Sequence, residues 1–160
     1  MKKILAIAAL LLGFVSAYAQ NGKSIYMKYS DAENVSAVYV SPAMFRLIGK
    51  IPEIQANNGE VDLTPVIRGL SGLYIINSEN LGINDSLYKD VSRFIESGKY
   101  EMLMEVKDNG EIMHMYTCGD KDVVTSFVML AKDGDELTFI CLDGKLDRAQ
   151  LEDLMASQMQ

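Results

Sequence analysis

The stretch 100-YEMLMEVKDNGEIMHMYTCGDKDVVTSFVMLAKDGDELTFICL-142 decides the fold. Here the pattern changes from a helical period to a period of two, which is that of a β-strand and not of a helix. Asn109-Gly110 and Asp133-Gly134 interrupt the pattern. Both central positions of a two-residue hairpin turn need positive φ, which Asn, Asp and Gly tolerate best. Gly119-Asp120-Lys121-Asp122 reads as a looser four-residue connection. The stretch therefore predicts four antiparallel strands at 100–107, 111–118, 123–132 and 136–142.

The turns also predict a register. Asn109-Gly110 sets Met104 opposite Met115 and Glu105 opposite His114. Asp133-Gly134, read as the two central turn residues, sets Val128 opposite Phe139 and Ser126 opposite Cys141. A plain four-residue middle loop sets Met113 opposite Val128. One face then gathers Met102, Met104, Val106, Met113, Met115, Val124, Val128, Leu130, Leu137, Phe139 and Cys141. This is the expected core face, with the methionines as adaptable filler. The other face carries Leu103, Ile112, His114, Tyr116, Phe127, Met129 and Ile140 beside Glu101, Glu105 and Cys118. It is more apolar than a simply solvated face.

Upstream of the meander the period is helical. Residues 23–29 predict a short helix, 35–40 a β-branched strand, and Ser41-Pro42 an N-cap followed by proline at the first helical position. Met44, Phe45, Ile48 and Ile51 give that helix its stripe, and Pro52 stops it. The loop 53–62 follows. Thr64-Pro65 starts another short helix, and 70–77 reads as a strand. Asn84-Asp85 is expected to cap a longer helix to Ser97, with Leu87, Val91, Phe94 and Ile95 on its buried face and Gly98 at its end. A last helix is expected over 147–157, opened by the Asp147/Gln150 pair. The order α-β-α-α-β-α-β-β-β-β-α predicts an α+β fold: a mainly antiparallel sheet with a C-terminal four-strand meander and helices packed on one face.

The first 19 residues stand apart. Met1-Lys2-Lys3 is basic, Ile4 to Val15 is apolar, and Ala17 and Ala19 supply the small residues a signal peptidase reads. This predicts a cleaved Sec-type signal peptide over 1–19 and a single domain over 20–160, periplasmic or secreted, with no stable membrane insertion after cleavage. No Cys lies near that site to carry a lipid. The whole chain carries a formal charge of −7 with no basic run, which excludes nucleic acid as a partner.

Four segments carry a family resemblance: 26-YMKYSDAENVSAVYVSPAMFRLI-48, 69-GLSGLYIIN-77, 99-KYEMLMEVKDNGEIMHMY-116 and 140-ICLDGKLDRAQLEDLM-155. Over these the chain resembles an exported Gram-negative envelope family of unknown function, domain-of-unknown-function family 4252. The resemblance implies export, an α+β domain, and genomic company with envelope-stress or sigma-factor regulators. It transfers no catalytic residue.

The chemistry-bearing residues point away from catalysis. Met113, His114, Met115, Tyr116 and Cys118 crowd together in sequence like a soft-metal site. Strand alternation divides them between faces, and His114 and Cys118 stand about 13 Å apart along a strand, too far to share an ion. His114 opposite Glu105 reads as cross-strand pairing before it reads as a catalytic base. Cys118 and Cys141 fall on opposite faces in this register, which argues against a disulfide. The acidic turns at 119–122 and 133–136 lack calcium-loop spacing. No phosphate loop, nucleophile elbow, CxxC or HExxH is present. No metal, cofactor or catalytic residue is therefore assigned. The expected binding surface is the second sheet face, with Leu103, Ile112, His114, Tyr116, Phe127, Met129 and Ile140. Either the N-terminal segment covers it, or it meets a protein partner or a second copy, or alternatively carries a small ligand or lipid.

Overall fold

The structure, a computed structural model, describes residues 21–50 and 64–152. The expected leader, Ile51 and Pro52, the 53–62 loop and the end of the last helix lie outside them. The described chain forms α1 (Gly22–Tyr29), β1 (Val35–Val40), α2 (Pro42–Ile48), α3 (Thr64–Gly69), β2 (Leu70–Ser78), α4 (Leu81–Ser97), β3 (Glu101–Asp108), β4 (Glu111–Gly119), β5 (Val123–Asp133) and β6 (Glu136–Asp147). Helical turns follow at 148–152, where the Gln150 backbone N–H donates to Asp147 Oδ1. The six strands make one sheet in the order β1-β2-β6-β5-β4-β3, every pair antiparallel. The meander thus continues past β6 onto the β2–β1 pair, and the α+β class holds.

Local chemistry sets the helix ends. Asn21 and Ser24 form a reciprocal capping box at α1. Ser41 caps α2 ahead of Pro42. The start of α4 differs from expectation: Asn80, not Asn84, accepts from the Gly82 N–H, and the helix begins at Leu81. Asn84 is committed elsewhere, its amide donating to the Asp135 carbonyl 2.7 Å away. Among the described residues of the expected stripe, only Phe45 is buried, and Met44 is 48 % exposed.

One face of the sheet is covered by α1 and α4. Ile25 and Tyr29 of α1 and Leu87, Val91, Phe94 and Ile95 of α4 pack on Tyr74, Ile76, Val128, Leu130, Phe139 and Cys141. Gly22 is why α1 can lie so close: a Cβ there would stand 2.3 Å from the Cys141 Sγ. A tie centred on the buried Asp90 carboxylate joins the two helices. The Asp90 carboxylate of α4 accepts from the Tyr29 hydroxyl at 2.7 Å and pairs with the Lys28 ammonium. Burial, first, raises the Tyr29 pKa, and the Asp90 hydrogen bond, first, raises that of Lys28.

The register corrects the expected faces. Asn109-Gly110 turns as expected, both at positive φ (47° and 95°), and Met104–Met115 and Glu105–His114 pair as expected. In the β5–β6 hairpin the central residues are Gly134-Asp135, because Asp133 pairs with Glu136. This moves the register by two, so Phe139 meets Leu130 and Cys141 meets Val128, and every side chain keeps its face. The middle connection is different. Gly119 pairs with Val124, Cys118 pairs with Ser126, and Thr125 is left as an extra residue, a β-bulge. An odd shift exchanges faces. His114 now lies opposite Leu130 and Tyr116 opposite Val128, on the helix side, while Met113 and Met115 lie opposite Ala131 and Met129 on the other. The methionines of β4, with Met104 and Val106 of β3, are therefore not core residues. Val124, Val128, Leu130, Leu137, Phe139 and Cys141 are.

The cysteines are free, and for a different reason from the one expected. Both lie on the helix side of the sheet, but β5 runs between their strands. Two strand spacings are about 10 Å, beyond a disulfide's reach.

Candidate functional site

The bulge at Thr125 produces two surfaces. The first is a cleft of about 440 Å³ at the start of α4. Leu81, Asn84, Asp85 and Tyr88 recur along one helical face and form one wall, and Ile112 and His114 of β4 form the other. Past the cleft β4 meets the helix-side core, where Tyr116 packs against it and the Cys118 thiol donates to the Gly98 carbonyl at the end of α4 at 3.2 Å, while β3 is exposed along its length. Tyr88 is 41 % and Ile112 37 % exposed.

His114 sits at the rim of this cleft. Its Nε2 is 2.8 Å from Glu105 Oε2, and Lys107 Nζ is 2.8 Å from the other carboxylate oxygen. Lys107, first, and His114 hold the Glu105 carboxyl below the usual carboxylate range. The His114 ring packs edge-on to Tyr116 at 6.0 Å. Burial raises the Tyr116 hydroxyl pKa. Among the described residues the side-chain hydrogen bond of His114 is the one to Glu105. Glu105–His114 is a surface pair extended by Lys107.

A second polar cluster escaped the sequence reading. Tyr100 donates to Ser126 at 3.0 Å, and Ser126 donates to Asp143 at 2.9 Å, with the Cys141 thiol 3.4 Å from the same carboxylate oxygen. A thiol, a hydroxyl and a carboxylate together suggest nucleophilic chemistry. Burial, and then the neighbouring Asp143 charge, push the Cys141 pKa far up, away from the thiolate a nucleophile needs. Burial likewise raises Tyr100. The cluster satisfies polar groups under α1 and α4. Its one sequence signal is that Ser126 and Cys141 share the core phase of their strands. Among the described residues no three His, Cys, Asp or Glu side chains converge to hold a metal.

The second surface is the face of the sheet turned away from α1 and α4. The pairing Val38–Ile75–Ile140–Met129–Met115–Met104 runs across all six strands in one row. Leu73, Leu142 and Phe127 lie beside it in the next row. None of these residues belongs to the buried core cluster. At about 4.8 Å per strand the row is roughly 24 Å long, and a patch of this breadth is on the order of several hundred Å². The structure thus divides the seven residues expected on one face. Phe127, Met129 and Ile140 are on the open face. Ile112, His114 and Tyr116 are on the helix side, moved there by the bulge. Leu103 stands at a second bulge, in β3, and is 52 % exposed.

Together these features define a class: an α+β domain with one sheet face packed under α1 and α4, the other apolar, half-buried along the middle of its row and exposed at Val38 and Met104, and no assembled catalytic group among the described residues. Residues 29–154 match the family described as a domain of unknown function (DUF4252), and the chain belongs to that family. No curated protein and no solved structure matches the chain.

Proposed function

We propose that this chain is an exported, non-enzymatic protein-interaction module in envelope signalling or stress response that docks a protein through its open sheet face. The row of six apolar side chains from Val38 to Met104 carries the reading. A soluble monomer rarely leaves so continuous a surface to water, and the three-part leader at 1–19 supports export. No described helix is long and apolar enough to cross a membrane.

A photo-crosslinking residue at Met129, at the middle of the row, tests it. The expected result in envelope extracts is a discrete adduct with one protein, and no adduct from the same residue at Lys89 on the outer side of α4. Equal labelling from both positions, or none from Met129, would count against the reading.

A second reading, a small-ligand carrier, draws on the cleft. The cleft lies on the helix side, so a carrier would use Tyr88, Ile112 and His114 and not the open face.

A further inference from the structure

The edge strand β3 carries an inference that does not depend on what docks on the open face. All of its residues are exposed, from Glu101 to Asp108, and among the described residues its one strand neighbour is β4. The turn at Asn109-Gly110 makes Asp108–Glu111 the closing hydrogen-bonded pair. Hydrogen-bonded and non-bonded pairs alternate from there. Met104 and Val106 therefore aim their backbone groups at β4, and Glu105 and Lys107 aim theirs outward along the edge. An edge of this kind is a template for another strand.

We infer that β3 pairs with β3 of a second copy, antiparallel, about a two-fold axis at Val106. The register follows by elimination. Outward-facing residues must meet outward-facing residues, so that N–H groups find carbonyls. Centring the axis on Glu105 or on Lys107 sets like charges directly opposite, which is destabilising. Centring it on Met104 runs the pairing through the bulge at Leu103. Centring it on Val106 sets Glu105 opposite the partner's Lys107 on both sides of the axis. The same two residues already pair within one strand at 2.8 Å, so the dimer gathers alternating charges into one cluster beside His114. Two such halves form one continuous sheet, with helices on the same side and the open faces joined. The charged edge and its bulge, devices that discourage promiscuous pairing, here leave a single complementary register.

Cysteine scanning in a Cys118→Ser background tests the register, since Cys141 is buried. Val106→Cys meets its own copy at a closely spaced non-hydrogen-bonded pair and is expected to form a disulfide-linked dimer under mild oxidation. Met104→Cys and Lys107→Cys are expected to remain largely unlinked. In sedimentation, Lys107→Glu should weaken self-association about tenfold, and Glu105→Lys with Lys107→Glu should restore it. A chain that stays monomeric across the accessible range, or that links at Met104 and not at Val106, would overturn the pairing. These outcomes leave the Met129 adduct untouched, so failure of one reading is separable from failure of the other.

Discussion

Phe139→Ala is expected to lower the unfolding free energy by about 3–5 kcal/mol, as for a large side chain removed from a packed core. The neighbouring Ile140→Ala should cost about 1 kcal/mol. Phe139 is 0 % exposed between Ile76 and Leu130, and its removal leaves a cavity that α4 and the flanking strands cannot close. Ile140 is next in sequence but belongs to the open face, where truncation mainly exposes its neighbours. Urea unfolding at constant m-value measures both. The larger loss corresponds to a melting-temperature drop of roughly 10–20 °C. Equal losses at the two positions would mean that both faces are packed, and the division of the sheet described above would be wrong.

Asp90→Ala is expected to have the second-largest effect, a loss of about 2–3 kcal/mol. The carboxylate is buried, and it is the acceptor for the Tyr29 hydroxyl and the ion partner of Lys28. Removing it leaves a buried hydroxyl without that acceptor, so α1 loosens from α4. Tyr29→Phe removes the donor instead and leaves Asp90 with Lys28, so it should cost about 1 kcal/mol. The asymmetry is the diagnostic: if the two variants lose the same amount, Asp90 is not the hub of the contact. The Lys28 pKa is raised above its ordinary 10.5. The stabilisation linked to its protonation is present in full below that value and is lost as pH rises through the raised one. Lys28 itself is largely exposed, so solvent screens much of its share and the Tyr29 bond carries the greater part.

The class, the strand order within the meander and most helix ends were legible because each rests on local chemistry. Asn109-Gly110 permits one tight turn, Ser41-Pro42 opens a helix, and Leu87, Val91, Phe94 and Ile95 recur at a helical period. The faces of β4 were not legible. Thr125 is an ordinary strand residue with nothing to announce a bulge, yet as one extra residue it exchanges the two sides of β4 relative to β5. The error at Gly134 did no such damage, because a shift of two preserves phase. Polarity gave no warning either. Both sides of this sheet are apolar, so Met113 and Met115 looked as suited to a core as Val128 and Phe139. His114 and Tyr116, each with a polar tip and an apolar body, fit the margin of a cleft as readily as open solvent. The Tyr100–Ser126–Asp143 chain brings together three distant segments, and only the paired strands and α4 reveal it.

The open face is the centre of the functional reading, and its methionines offer the most direct test. Met104, Met113, Met115 and Met129 share that face, while Met27 and Met44, 67 % and 48 % exposed, lie on the helices α1 and α2. Peroxide oxidation followed by peptide mass spectrometry reads all six in one experiment. In dilute purified protein every one of them should oxidise. In envelope extracts the four face methionines should be protected while Met27 and Met44 stay reactive. Face methionines that oxidise in extracts as fast as Met27, or that resist oxidation in the isolated chain, would contradict an open face that docks a protein.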